Sequence, residues 1–473
     1  MSLGLNVQKP GQLLQTVTGD PTVNSRLSLA SLIALAVTFA IPCLGVPGAT
    51  GYAAPKKGKQ AGAPARVAAP IQTPLAEDDP LRTAWRIDVD PFAALGSGRP
   101  GNAAVDFDKP DGLAFTPSGL LLATDAKNRR VQVWDVKTGT RIGEFGRKVF
   151  GGEIVDIAVA PSGLVLVTDQ TLNLAYAFAP PQPGAVDKET GKPAGPADYQ
   201  FKGTRFGEQG FDKLGGIAID SRNRAYCVDA HLNEVRRFHP DGTPDDSFHF
   251  EKARPNGDTY LHGCEGIAID EDTGSLYVSS EKDSVVQVFD WETGAYKRRL
   301  LGAASDGTGT PSGQNIFSGS VEGLTIARGH LFAVDEAAGR IQIFDLSKPA
   351  AFNADLLTFS VPRQNKLAGY LGFFGHSSRG HFEDKPNLDP QRQAKEASII
   401  PGLANPPGYF CSPDSISSST DSASGETYIA IADQCNFRLV VYKWSDVLRA
   451  ASGSATTAPA TQAPGGKKGK QKP

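Results

Sequence analysis

Acidic residues stand at the start and at the end of short apolar runs, a pattern that could supply ligands for a hard metal cation. In residues 265–281, Glu265 precedes the apolar run 267–269, a turn covers 270–274, and Glu281 follows the alternating run 276–278. This pattern is typical of a β-hairpin, in which the first residue of one strand lies beside the last residue of its partner. We therefore expect Glu265 and Glu281 at the same end of one hairpin.

The pattern recurs about six times along the chain, and the acids are expected to converge on one opening. Calcium takes about six to eight oxygen ligands, and carboxylates brought together without a cation repel each other. The candidate metal ligands are Asp111, Asp156, Glu265, Glu281, Glu322 and Asp414. Another group of acids ends the second strands and is expected to accept backbone N–H bonds in the following turns: Asp125, Asp169, Asp229, Asp335 and Asp433.

Short strands joined by turns must position these acids, so the chain is predicted to be all-β. Six units of similar pattern predict a six-bladed β-propeller over residues 81–446, with an insertion at 363–410. Only five fourth strands follow in order. The apolar alternation at residues 84–89 is therefore expected to complete the sixth blade and close the ring, which leaves only short edges.

The two ends of the chain differ from this body. Residues 1–54 have the pattern of a secretory signal with cleavage near Ala53 or Ala54, or alternatively of an uncleaved membrane anchor. Residues 55–80 form a Pro/Ala/Lys linker, and 447–473 form a basic tail that is expected to be disordered. We expect a monomer outside the cytoplasm, periplasmic or secreted, with membrane contact only through an uncleaved N-terminal segment.

Charge is unevenly distributed. Residues 1–76 carry six Lys and Arg against one Asp, and residues 451–473 carry four Lys and no acid, so the formal charge of −3 leaves −12 for the body between them. An acidic body argues against nucleic acid as a partner, because it repels phosphates unless a metal intervenes.

Cysteines also fit an exported protein. Apart from Cys43 there are four, and an even number in such a chain suggests disulfides. Cys411 opens the sixth unit and Cys435 follows its second strand, so these two are expected to pair. Cys227 and Cys264 come from neighbouring units and are a second candidate pair.

Two resemblances bear on architecture and activity. Residues 123–134, 228–238 and 432–442 resemble NHL repeats, which build six-bladed propellers. Residues 265–281 together with 321–326 are similar to the metal-binding blades of β-propeller phytases. That resemblance implies that Glu265, Glu281 and Glu322 hold calcium ions, which bind inositol phosphate and activate water.

The phytase resemblance is incomplete and covers about two of six blades. Ser320 stands where that family has an acid, and residues 109–112 lack its double-Asp motif. Lys127, Arg129 and Arg130 lie where the family has basic phosphate contacts, although NHL repeats have Asn-x-Arg there too. His262, close to Glu265, could also face the opening.

The sequence therefore predicts an exported, calcium-dependent phosphomonoester hydrolase that resembles β-propeller phytases and uses metal-bound water at an acidic channel mouth. A non-catalytic NHL-type platform that binds a protein or a glycan is the alternative. A metal-dependent lactonase is a further alternative, for which Asn315 is the candidate metal-ligand amide. Hydrolysis predicts basic residues beside the acids, whereas a platform predicts an exposed apolar patch.

Overall fold

The computed structural model describes residues 86–182, 194–207, 210–254, 259–300, 320–347, 370–377 and 407–452, with the single positions 184, 186, 257 and 317. The predicted signal segment, the linker, residues 453–473 of the predicted basic tail, Asn315 and most of the 363–410 insertion lie outside these residues. The tail was expected to begin at residue 447, but residues 447–451 belong to a helix in which Val447 is buried. No helix in the described ranges is both long and apolar enough to cross a membrane.

The described part of the chain forms a six-bladed β-propeller. Strand β1 (Ala93–Leu95) comes first in the chain but belongs to the last blade. Blade 1 contains β2 (Pro110–Phe115), β3 (Leu120–Asp125), β4 (Arg130–Asp135) and β5 (Thr140–Phe145). Blade 2 contains β6 (Ile154–Val159), β7 (Val165–Asp169), β8 (Leu174–Ala179) and β9 (Gln200–Phe206). Blade 3 contains β10 (Leu214–Ile219), β11 (Ala225–Asp229) and β12 (Glu234–Phe238).

The second half of the ring follows the same antiparallel order. Blade 4 contains β13 (Ile267–Asp270), β14 (Ser275–Ser280), β15 (Val285–Asp290) and β16 (Tyr296–Leu300). Blade 5 contains β17 (Val321–Ala327), β18 (His330–Asp335), β19 (Arg340–Asp345) and β20 (Tyr370–Phe374). A short parallel pair, β21 (His376–Ser377) and β22 (Tyr409–Phe410), precedes blade 6. Blade 6 contains β23 (Pro413–Thr420), β24 (Thr427–Asp433), β25 (Arg438–Lys443) and β1, and helix α1 (Trp444–Ala451) follows it.

The ring is closed by the N-terminal part of the body, as the sequence predicts, but by a different segment. β1 pairs with β25 through Ala93 and Val441, whereas residues 84–89 were expected to do so. Instead Arg86 bridges Phe373 of β20, and Ile87 donates its N–H to the Phe373 carbonyl at 2.8 Å. The alternating apolar pattern there reflects the burial of Ile87 in the core between blades 5 and 6 and not a place in the sixth blade.

The core lies between neighbouring blades and not on one side of a single sheet. Side chains alternate between the two faces of a strand, and each blade packs against a neighbour on both faces. In β3, Leu122 belongs to the cluster between blades 1 and 2, whereas Leu121 and Ala123 belong to the cluster between blades 1 and 6. Burial on both faces explains why these strands are continuously apolar.

The structure contains one of the two predicted disulfides. Cys411 and Cys435 are bonded, as predicted. The predicted pairing of Cys227 with Cys264 is wrong, because both are buried free thiols. Cys227 lies on the face of blade 3 that packs against blade 2, whereas Cys264 packs among residues between blades 3 and 4. Blade 3 therefore lies between the two cysteines.

Candidate functional site: an acidic ring at the channel mouth

The innermost strands β2, β6, β10, β13, β17 and β23 contact one another in sequence and close around the central channel. We call the end where they begin the channel mouth. Adjacent inner strands approach so closely there that a side chain does not fit at some positions. A Cβ added to Gly216 would lie 2.0 Å from the carbonyl oxygen of Glu265, and one added to Gly266 would lie 2.2 Å from that of Glu322. The absence of a side chain at Gly216 and Gly266 is thus a packing requirement of neighbouring blades.

Four of the six blades place a carboxylate at the equivalent position at the start of the inner strand, and in blade 2 Asp156 stands one residue later, at the position of the glycines. The equivalence shows in the backbone, where Gly112 and Gly266, each following its acid, donate N–H to Thr124 and Ser279 of the second strand. Gly215 occupies this position in blade 3. We call the five carboxylates the inner ring: Asp111, Asp156, Glu265, Glu322 and Asp414. The structure therefore brings together five of the six predicted metal ligands.

The sixth predicted ligand, Glu281, lies one level further out. Its N–H donates to the Gly263 carbonyl at 2.8 Å, and Glu336 of blade 5 makes the equivalent bond to Ser320 at 3.0 Å. Glu336 was missed in the sequence, although it follows the last residue of its second strand as Glu281 does.

Two lysines beside the inner ring were also missed in the sequence. Lys109 and Lys213 each stand two residues before the inner-ring position of their blade.

These lysines form ion pairs with the inner ring. Lys213 Nζ lies 2.8 Å from Glu265 Oε1, across the boundary between blades 3 and 4. Lys109 Nζ lies 3.2 Å from Asp111 Oδ2 and 2.5 Å from Glu153 Oε1. The side chains of Lys109 and Lys213 remain 28% and 30% exposed, so both still reach the solvent of the channel mouth.

The remaining inner-ring carboxylates have neutral partners. Asp156 accepts the N–H of Ile157 and of Ile217, both at 2.8 Å, and each of its oxygens takes one bond. Asp414 Oδ2 accepts Gln434 Nε2 at 2.8 Å, and Glu322 accepts the Ser320 hydroxyl. Asp156 is therefore held by backbone amides, whereas Glu322 and Asp414 are held by side chains that can rotate away.

Burial and mutual repulsion raise the pKa values of most of these carboxyls. Burial raises the pKa of Asp111 and of Asp156 to about 7, in Asp111 despite the ammonium of Lys109. The pKa of Asp414 is held well above its ordinary value by burial and by the charges of Asp111 and Glu265. Burial, Asp414 and Glu265 do the same to the pKa of Glu322. Ionising these carboxyls together is therefore unfavourable unless a cation is present.

Glu281, which lies outside the inner ring, shows a similar effect. Burial raises the pKa of Glu281, and the charge of Glu265 adds to the shift. Lys109 shows the opposite side of the same effect. Burial by itself would lower the pKa of its ammonium, but Asp111, Glu153 and Asp414 outweigh burial and hold that pKa above its ordinary value.

The predicted substrate-binding residues do not join the ring. Arg130 is 1% exposed, and its guanidinium donates hydrogen bonds inside the protein to Asp125, to Glu144 and to backbone carbonyls. Its predicted contact with a ligand is therefore wrong. Its spacing in the repeat reflects this buried ion pair. Lys127 is exposed and lies 3.7 Å from Asp108, and Arg129 occupies the adjacent turn with a positive φ of 51°.

His262 has a partner of its own beside the mouth. Its Nδ1 lies 2.8 Å from Asp283 Oδ2, and its side chain is 48% exposed. Asp283 also accepts the hydroxyl proton of Ser280 at 2.9 Å, so this group is a local network on the β14–β15 turn.

The acids that end the second strands fix the loops around the mouth. Asp169 and Asp229 accept N–H bonds from the following turn, as predicted. In addition, Asp125, Asp169, Asp229 and Asp433 accept an N–H from the segment that leads into the inner strand. Arg130, Arg340 and Arg438 pair with Asp125, Asp335 and Asp433 respectively. These buried aspartates belong to the framework of the mouth.

Donor chemistry and geometry give different answers for calcium at the inner ring. The inner ring offers only carboxylate oxygens, which is the donor type that calcium prefers. Geometrically, no group of three or more His, Cys, Asp or Glu side chains within the described ranges is arranged to hold a metal ion. The residues therefore do not form a ready-made calcium centre, since each carboxylate stands on its own blade.

Comparisons with known proteins find no family and only distant structural similarity. No protein-family model matches the chain, and no curated protein matches it. Among solved structures, it is similar to the PQQ-bound aldose sugar dehydrogenase from Streptomyces coelicolor, with 16% identity and a TM-score of 0.43 over 75% of this chain and 97% of that one. A protein of unknown function from Bacteroides thetaiotaomicron shares 15% identity with a TM-score of 0.46, over 74% of each chain. A streptogramin B lyase shares 11% identity with a TM-score of 0.38, over 72% and 96%.

The chain is a six-bladed β-propeller. Its similarity to these structures carries no information about activity, and the NHL and phytase resemblances stay predictions. What the structure contributes is an opening with an excess of carboxylates, two lysines beside them, and side-chain partners that can be exchanged for a ligand. Such an opening attracts cations and repels bare anions.

Proposed function

We propose that the channel mouth binds a divalent cation such as calcium together with a phosphorylated small molecule, and hydrolyses its phosphomonoester. The observation that carries the proposal is the inner ring itself, in which burial and like charges raise the pKa of Asp111, Asp156, Glu322 and Asp414. A divalent cation would remove that repulsion. It would also let an anionic substrate approach a mouth that otherwise repels it.

Glu265, Glu322 and Asp414 are the carboxylates best suited to hold the cation. They lie on the consecutive blades 4, 5 and 6, and their charges act on one another. Asp156 suits this role less, because both of its oxygens already accept backbone N–H bonds. If calcium were held by these residues, it would supply a Lewis acid for a phosphomonoester. Since the described carboxylates do not assemble a complete site, substrate oxygens would have to supply further ligands.

The lysines support hydrolysis over a platform. Basic residues beside the acids are what the hydrolysis of an anionic ester predicts, and Lys109 and Lys213 stand there, partly exposed. Both ammonium groups stay charged at neutral pH, because their pKa values are raised by the neighbouring carboxylates despite burial. Their role would be to orient Asp111 and Glu265 and to offset part of the charge of a phosphate.

The alternative is a non-catalytic NHL-type platform that binds a protein or a glycan. It is favoured by one specific observation, which is that the inner ring is already hydrogen-bonded within the protein. Asp156 bonds to two amides, Glu265 to Lys213, and Asp414 to Gln434. The lactonase alternative depends on Asn315, which lies outside the described residues.

The deciding experiment measures phosphate release from inositol hexakisphosphate by the purified protein, with calcium and with chelator, beside calorimetric titration of calcium. We expect turnover that the chelator abolishes, and a loss of calcium affinity and of turnover of at least about tenfold in Glu322→Gln. Asp272→Asn is the matched control, since Asp272 is exposed in the β13–β14 turn at the opposite end of the channel.

The two measurements separate the candidates. Calcium binding without turnover would refute hydrolysis and favour the platform. Neither calcium binding nor turnover would refute the cation site as well.

A further inference from the structure

The opposite end of the channel contains a shallow cavity of about 360 Å³ that is widely open to solvent. It is lined by residues at the ends of the inner strands and in the turns that follow them, including Phe115, Val159 and Ile219. Phe115 ends the strand whose second residue is Asp111. Four residues of strand separate the two by roughly 13 Å, so this cavity is distinct from the acidic ring.

The cavity has an apolar side and a polar side. Blades 1–3 contribute Phe115, Val159 and Ile219, while blade 6 contributes Ser418 and Ser419. The Ser418 hydroxyl already bonds to the Thr325 hydroxyl and to the Ile326 carbonyl of blade 5. The other lining residues are Thr116, Pro117, Ala160, Pro161, Asp220, Ser221 and Glu271, so none of the lining side chains is cationic. Half of the lining residues are polar, which is more than in a typical small-molecule site, whereas the volume lies within the usual range.

Glu271 is the polar group whose orientation is fixed. Its Oε1 accepts the backbone N–H of Ser221 and its Oε2 accepts the Ser221 hydroxyl, both at 2.6 Å. Each carboxylate oxygen has a second lone pair that can accept a hydrogen bond from a ligand hydroxyl group. The other carboxylate, Asp220, is buried and paired with Arg224 Nε at 2.6 Å, so it is committed to the framework.

We propose that this cavity is a second binding site, which takes a neutral polyhydroxylated ligand of one or two sugar rings. The ring of Phe115 and the neighbouring aliphatic side chains match the C–H faces of a sugar. Ser419 and Glu271 match its hydroxyl groups. Anions are excluded, because Glu271 is charged and no cation lines the cavity. The site therefore does not take the phosphorylated substrate proposed for the channel mouth, and it stands whether or not that proposal is correct.

Saturation-transfer NMR and calorimetric titration of the whole protein test the proposal, with maltose, glucuronate and glucosamine as probes. We expect maltose to bind, glucuronate to bind at least about tenfold more weakly, and a calcium chelator to leave maltose binding unchanged. No binding of maltose would overturn the proposal. Binding of glucosamine alone would overturn the neutral ligand class, because it would show a site for a cation.

Two variants locate the binding. Ser419→Phe fills the cavity from β23 and is expected to abolish maltose binding. Glu271→Gln, at an exposed position, is expected to weaken maltose binding and to remove the discrimination against glucuronate. Asp272→Asn, one residue further along the same turn and outside the cavity lining, is the control and should behave as the unmodified protein. Maltose affinity that stays unchanged in Glu271→Gln would refute the assignment, even if Ser419→Phe failed to fold.

Discussion

Replacing Asp111 by Asn should make the protein more stable at alkaline pH relative to acidic pH. The pKa of Asp111 is raised by burial from 3.8 to about 7 in the folded protein. Because the folded state holds this proton more tightly than the unfolded state does, the stabilisation is complete below about pH 4. It is then lost as the pH rises to about 7.

The size of the effect follows from the shift. A shift of roughly three pKa units, at about 1.4 kcal/mol each, corresponds to about 4 kcal/mol as an upper bound. Asp414 shares a hydrogen bond with Asp111, so part of the penalty belongs to the pair and not to one residue. We therefore expect a difference of about 2 kcal/mol between the pH dependences of the unmodified protein and of Asp111→Asn. The Asn amide keeps the shape of the protonated acid, and Lys109 retains Glu153 at 2.5 Å.

The assay is urea unfolding at pH 5 and at pH 8. The free energy of unfolding should fall between these pH values in the unmodified protein and fall less in Asp111→Asn. Asp272→Asn, exposed at the other end of the channel, should leave the pH dependence unchanged. An Asp111→Asn variant with the same pH dependence as the unmodified protein, or with a steeper loss at pH 8, would refute the claim that the inner ring is under electrostatic strain.

Two further predictions concern the framework. Gly266→Ala should destabilise the protein by about 1–3 kcal/mol, because its Cβ would lie 2.2 Å from the Glu322 carbonyl oxygen of the neighbouring blade. Thermal unfolding measures this effect. Gly195→Ala is the control and should have little effect, because its Cβ would meet nothing closer than 3.6 Å. Cys411→Ser should cost about 3 kcal/mol, because the bond to Cys435 closes a loop with a sequence separation of 24; an unchanged melting temperature, or one equally sensitive to reductant in both proteins, would contradict this.

Much of the candidate site could be predicted because a propeller repeats one unit. Once Glu265 and its hairpin are recognised, the equivalent positions in the other units follow from the pattern, and the structure places Asp111, Glu322 and Asp414 at those positions, whereas Asp156 stands one residue later in its unit. Lys109 and Lys213 were missed because they precede the strands, in residues that have no periodicity of their own. The Asn-x-Arg pattern misled, because a buried arginine that pairs with Asp125 has the same spacing as one that faces a ligand.

The sequence alone determined the number of blades, the position of four of the five inner-ring acids in the repeat and the Cys411–Cys435 bond, because strand periodicity and hairpin pairing are local and repeat along the chain. Only the tertiary structure decided which segment closes the ring, that Cys227 and Cys264 lie on opposite sides of blade 3, and which acids bond to backbone amides or to lysines. These properties depend on contacts between blades far apart in sequence. A strand pattern states which face a side chain occupies, but it does not state what the neighbouring blade places against that face.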